Sequence, residues 1–213
     1  MLHDPRTSAS TLTRKRLLDA AAEVFSAEGF RAATVRQICT RAEANVAAIH
    51  YHFGSKEELY LELLRELGRR AFERYPPTFG LPASPSDEER LFAFVHALLL
   101  RVLSEDGWAY HGRVLLREMV DPSPAFDVVI DEFVRPHFEY LRGIVARLLG
   151  GGASEEDVHL YARGILAQCA FYHQGRAVIE RLSPGEPRDP AAIRSLAEHV
   201  TRFSLEGLRA RAS

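Results

Sequence analysis

Residues 34–59, TVRQICTRAEANVAAIHYHFGSKEEL, decide how this chain is read. They read as two short helices around a tight turn, then a Gly54-Ser55 break and a new helix. Thr34 stands at a helix N-cap, with Val35, Ile38 and Cys39 pointing inward. Asn45 caps the next helix, where Ile49 and Phe53, four apart, share the core face. Ser55 and Glu58 form a capping box for the helix that follows. A helix-turn-helix needs this layout to push its second helix into the major groove of DNA. DNA binding is therefore the leading reading of the N-terminal end.

Outward from this stretch, the pattern stays helical. Residues 1–12 are polar and read as a flexible N-terminus. Thr13 opens a helix to about Ala27, with Leu17, Leu18, Ala21, Val24 and Phe25 on one face. Gly29 ends it. The helix after Ser55 runs through Leu59, Leu63, Leu67 and Phe72 to about Tyr75, and prolines and Gly80 then mark a loop. Further helices are expected over 86–103, 107–120 and 125–149, the last interrupted by Pro136. Gly150-Gly151-Gly152 is a break. Ser154 with Asp157 opens a helix to about Leu182, and Pro190 opens the last one. The fold class is all-α, about nine helices: a helix-turn-helix domain at 13–60 with a connecting helix to about 75, and a helical regulatory and dimerisation domain at 76–213.

The 213 residues carry a net charge of −2, so the whole molecule is not an obvious nucleic-acid binder. The charge is uneven, however. Residues 1–56 hold eight Lys and Arg against five Asp and Glu, a surplus of +3 that leaves −5 for the rest. A basic end on an acidic body flags a nucleic-acid contact. Cys39 and Cys169 are the only cysteines, which excludes a disulfide scaffold or a thiolate zinc site. No signal-peptide pattern or membrane-spanning run is visible, and the cytoplasm is the expected location.

Several strings resemble the TetR family of transcriptional regulators. They are Ala20-Ala21-Ala22-Glu23-Val24-Phe25, Glu28-Gly29-Phe30, Thr34-Val35-Arg36-Gln37-Ile38, and Ile49-His50-Tyr51-His52-Phe53-Gly54-Ser55-Lys56-Glu57-Glu58-Leu59. This resemblance covers roughly residues 13–60. Beyond it the chain is similar in helix count and length, and Asn45-Val46-Ala47-Ala48-Ile49 with Arg117-Glu118-Met119 and Pro122-Ser123-Pro124 look like the subgroup typified by the CecR regulator. Two departures stand out. The turn carries Glu43 where the family usually has Gly, so Glu43 either accepts a positive φ at some cost or the turn is shaped differently. The third helix begins Asn45-Val46 in place of a Ser-Lys pair.

Candidate DNA-binding residues follow from this layout. Thr34 and Arg36 open the second helix, where amides, hydroxyl and guanidinium face phosphate. Asn45, Val46, Ala47 and Ala48 begin the recognition helix. Val46 and the alanines offer contact to thymine methyls, while His50 and Tyr51 reach bases or phosphates. Lys56 is a candidate phosphate ligand. The resemblance implies double-stranded DNA with a palindromic operator as partner, a homodimer, and repression relieved by an unidentified small-molecule effector. Ile165, Cys169, Tyr172, Val200 and Phe203, on the last two helices, are candidate dimer-interface residues. His96, Trp108, His111, Arg113, Arg117, His137 and Phe138 are candidate pocket residues, since aromatics with a few polar groups suit a small-molecule cavity. Each of these two sets equally describes an ordinary core.

Two other readings compete. An all-α metal-dependent enzyme using the nine histidines lacks a His-Glu-x-x-His motif and a Glu-x-x-His pair suited to a di-metal bundle. On one helix, His159 and His173 would stand about 21 Å apart. No cofactor or catalytic residue is expected. A ligand-independent architectural DNA-binding dimer is the other alternative.

Overall fold

The computed structural model describes residues 5–104, 114, 117–185 and 189–212. Among these, the regular elements are helical: α1 (Pro5–Ala32), α2 (Val35–Arg41), α3 (Val46–Phe53), α4 (Lys56–Arg74), α5 (Asp87–Leu103), α6 (Phe126–Val129), a π-turn (Ile130–Val134), α7 (Arg135–Leu149), α8 (Glu155–Gln174), α9 (Arg176–Leu182) and α10 (Pro190–Ala212). The all-α expectation holds. Trp108, His111 and Arg113, and most of the helix expected over 107–120, lie outside the described residues.

Local chemistry accounts for the boundaries. Thr34, Ser86 and Ser154 each make a complete capping box, with Gln37, Glu89 and Asp157 three residues on. Pro136 stands in the first turn of α7, where its missing N–H costs nothing. The same missing donor interrupts the ladder just upstream, which is where the π-turn sits.

The first helix differs from expectation. It opens at Pro5 rather than Thr13, so residues 5–12 continue the helix instead of forming a loose tail. Proline presets φ for a first turn, and the Ala, Ser and Thr that follow include no breaker. At the other end Gly29, with φ 81° and ψ 170°, kinks the helix.

The chain divides into two compact units. One comprises Met1–Arg70 with Tyr110–Asp131; the other comprises Ala71–Ala109 with Glu132–Ser213. The linear split expected near residue 75 is therefore modified, because residues 117–131 belong with the N-terminal helices. In that unit Leu17, Ala21, Phe25, Ile38, Ile49, Leu59, Tyr60 and Leu64 are buried. In the other, α5, α7, α8 and α10 close around Leu91, Phe94, Leu99, Leu141, Ile144, Ala162, Ile165, Ala197 and Val200. The most extensive packing there is between α5 and α10. No helix among the described residues is long and apolar enough to cross a membrane.

Candidate nucleic-acid interface

The recognition helix α3 is two-faced. Ile49 and Phe53 are buried, while Val46, Ala47, His50 and Tyr51 are exposed, Tyr51 to 80%. An exposed tyrosine on a helix whose opposite face is sealed has no packing role to explain it. Asn45 holds the start of α3, its Oδ1 accepting the Ala48 amide at 2.9 Å. His52 is half-buried, its ring edge-on to Tyr51 with centroids 4.9 Å apart. His50 stays exposed, and its Nδ1 lies 2.8 Å from Gly54 O, so that nitrogen carries the proton.

Glu43 adopts the positive φ, 49°, and is the only non-glycine to do so among the described residues. Its carboxylate meets Arg16 at 3.0 Å. This exposed pair helps anchor a turn that lacks the glycine freedom usual there, though such pairs contribute little.

The start of α2 is ordered by a chain of hydrogen bonds. Thr34 Oγ1 accepts the Gln37 amide and donates to Gln37 Oε1, while Gln37 Nε2 donates to Glu28 at 2.8 and 2.9 Å. The Thr34 hydroxyl is thus committed within the protein. Arg36 is exposed and has no ion-pair partner among the described residues. Arg14, Arg16 and Arg41, by contrast, pair with Glu62, Glu43 and Glu23. The N-terminal basic surplus is partly neutralised in place, and Arg36 stays an exposed cation without an ion pair among the described residues.

Lys56 behaves differently from the sequence reading. Its Nζ donates to Phe30 O at 2.9 Å and Ala33 O at 3.1 Å, and stands 4.5 Å from the centre of the Phe30 ring. A cation on the open carbonyls at a helix C-terminus is a structural cap. Its position in the phosphate set is therefore corrected: the ammonium is already engaged by backbone oxygens.

The remaining candidates separate as well. Arg117 is not in a cavity of the C-terminal helices. It belongs to the N-terminal unit, where Nη2 donates to Glu28 O at 3.1 Å. A Cβ on Gly29 would come within 2.6 Å of Arg117 Nε, so a side chain there would displace the guanidinium, and the positive φ itself favours glycine. Beside it, Glu118 is buried and accepts from Tyr60 Oη at 2.6 Å and Ser123 Oγ at 3.0 Å.

In the second unit, His96 fronts a cavity of about 750 Å³ with Tyr75, Phe79, Leu100, Ser104, Ile193 and Arg194. Burial, with Arg194 nearby, holds its pKa below the usual histidine range. His137 stacks on Phe72 at 3.7 Å, and Phe138 packs edge-on to His159. Of the dimer candidates, Ile165, Cys169 and Val200 are sealed in the core of their own unit, so they are corrected from interface to core. They pack into the core shared by α5, α7, α8 and α10. Phe203 remains exposed, joined by Leu160, Phe171, Val178 and Leu182. Phe171, Leu182, His199 and Phe203 line a groove of about 570 Å³ together with the half-buried Tyr172. Sequence reading missed Phe171, Leu182 and the half-buried Arg101, the one formal charge in the apolar run over 91–103. That isolation was the available signal.

A capped helix, a tight turn and a second helix with a sealed inner face and an open outer one define a helix-turn-helix DNA-binding module. Residues 17–63 match the model for bacterial regulatory proteins of the tetR family, and 87–208 match that for the C-terminal domain of the HTH-type transcriptional dual regulator CecR. The chain is similar to the HTH-type transcriptional repressor NicS of Pseudomonas putida, 42% identical over 96% of each chain. It is also similar in fold to the regulator FadR of Bacillus subtilis solved with stearoyl-CoA (TM-score 0.68, 17% identity, 91% of this chain and 98% of that one). The same holds for AibR, solved with isovaleryl coenzyme A and operator DNA (TM-score 0.68, 16% identity, 90% and 97%). The chain belongs to the TetR family. It is a DNA-binding transcriptional regulator, and the relatives it matches are named as regulators rather than enzymes.

Proposed function

We propose that this protein is a cytoplasmic homodimeric repressor that holds a palindromic operator and releases it when a small molecule enters the C-terminal unit. The observation that carries this reading is the outer face of α3. Val46, Ala47, His50 and Tyr51 are presented to solvent there, on a helix anchored by Ile49 and Phe53. Asn45 and Ala48, with Arg36 at the start of α2, complete the contact set, while Thr34 holds the turn that presents Arg36. A two-fold operator needs two such helices about 34–36 Å apart, hence a dimer.

The exposed apolar residues on α8, α9 and α10 support a second copy as partner, since patches of this kind mark interaction sites. NicS is named a repressor, which supports the direction of control. FadR and AibR were solved with acyl-coenzyme A molecules, which supports effector binding in this fold.

Selection of genomic DNA fragments by the purified protein tests the reading. Wild type enriches one palindromic sequence and Tyr51→Ala does not. No enrichment by wild type would overturn it. Operator release on adding a small molecule tests the effector half separately.

A further inference from the structure

Arg101 sits on α5 where the end of α4, α7 and α8 converge. Its guanidinium carbon stands 4.2 Å from the centre of the Phe72 ring, and Nη1 donates to Tyr75 O at 3.2 Å. Both partners are uncharged. Cys169 and His137 are the titratable neighbours, and no carboxylate pairs with Arg101 among the described residues. Several exposed arginines of the same unit are provided for: Arg147 meets Asp87 at 2.7 Å, Arg209 meets Glu88 at 2.7 Å and Arg211 meets Asp157 at 2.9 Å. Arg163 and Arg181 also lack a carboxylate among the described residues, but they are exposed and bond backbone carbonyls, whereas Arg101 is half-buried, so its missing counter-charge matters more.

Two further observations point to a ligand. Burial pulls the Arg101 pKa down to about 9, the direction a guanidinium takes when no anion compensates it. It remains protonated near neutral pH. Yet the residue keeps accessible surface, and none of its nitrogens is sealed off without a partner. The N–H groups not given to Tyr75 therefore keep accessible surface. Burial lowers the His137 pKa, against its bond to Phe133 O and with a smaller push from Arg101, so Arg101 is the formal charge of this site. One enclosed positive charge suits a monoanion better than a phosphate dianion, and the guanidinium fork matches a carboxylate.

We propose that Arg101 is the recognition group for the effector and that the effector is a small carboxylic acid with an apolar or aromatic body. The carboxylate pairs with the open edge of the guanidinium, and the body lies among the aromatic groups around Phe72 and His137. This rests on the reading of the C-terminal unit as an effector site and adds the chemical class to it.

The test is thermal unfolding and calorimetric titration of the full chain with benzoate, hexanoate, and their uncharged counterparts benzamide and hexanamide. At least one carboxylate raises the melting temperature of wild type while its amide does not. Arg101→Met weakens that binding on the order of tenfold to a hundredfold. Arg101→Lys, which keeps the charge without the fork, retains part of it and serves if the methionine variant fails to fold. Equal stabilisation by acid and amide, stabilisation that survives Arg101→Met, or no stabilisation by either acid overturns the proposal. Operator release by a neutral molecule, unchanged in Arg101→Met, would sink the carboxylate class and leave the effector reading standing.

Discussion

The phenol of Tyr60 donates a 2.6 Å hydrogen bond to the carboxylate of Glu118, 58 residues away in the chain, and both groups are buried. Glu118 also accepts the amide and hydroxyl of Ser123, at 3.2 and 3.0 Å. The carboxylate therefore ties α4 to the 117–125 segment within the N-terminal unit. Burial, followed by the bond to Glu118, raises the Tyr60 pKa above its ordinary value near 10. A group whose folded pKa is raised contributes stability below its unfolded pKa and loses it as pH rises beyond that point. Unfolding free energy should thus fall above about pH 10, by up to about 1.4 kcal/mol per pH unit from this group. In Tyr60→Phe the alkaline slope should be shallower, with a cost of about 1–3 kcal/mol at neutral pH. Urea titrations from pH 8 to 11 check both, and an unchanged slope would count against the assignment.

Lys56 offers a test that separates a structural cation from a DNA-binding one. With its ammonium on Phe30 O and Ala33 O, Lys56→Met should lower stability by about 1–2 kcal/mol, a few degrees in melting temperature. The salt dependence of operator binding should stay the same. A phosphate contact would instead reduce the log–log slope by about 0.9.

Glu43→Gly should raise the melting temperature by about 1–3 °C. The left-handed backbone at φ 49° costs a non-glycine residue about 1–2 kcal/mol. That gain is offset by about 0.5–1 kcal/mol of added chain entropy in the unfolded state. Loss of the exposed pair with Arg16 subtracts a few tenths more. Calorimetry of Glu43→Ala, which removes the pair and keeps the strain, is the control and should show no gain.

Phe203 is 64% exposed on α10. If the apolar groove seats a second copy, Phe203→Glu should shift sedimentation from dimer to monomer and weaken operator binding. Its own fold should be almost unaffected, because the side chain lies outside the core. The same change at Val200 would unfold the unit instead, since that residue is 1% exposed.

What was legible in the sequence was the short-range part. Thr34, Asn45 and Ser154 cap their helices as read, because a cap is a rule about four consecutive residues. The outer face of α3 was legible for the same reason, since residue spacing fixes helix faces. Lys56 was misread because its partners stand 23 and 26 residues away, and no local pattern encodes that approach. Ile165 and Val200 were misread because an apolar stripe shows that a helix is covered but not by what. The membership of residues 117–131 in the N-terminal unit depends on Tyr60 and on the carbonyl of Glu28, both remote in sequence.

The bonds linking Glu28, Gln37 and Thr34 hold the first turn of α2 in place with no DNA present. The amides of Thr34 and Gln37 are already engaged there by side chains of the same turn. Ordering there belongs to folding rather than to association, so encounter with an operator is limited by diffusion and orientation, not by local refolding. The entropy of binding at this turn should come chiefly from displaced ions and water, and a Gln37→Ala change should appear first as a slower on-rate.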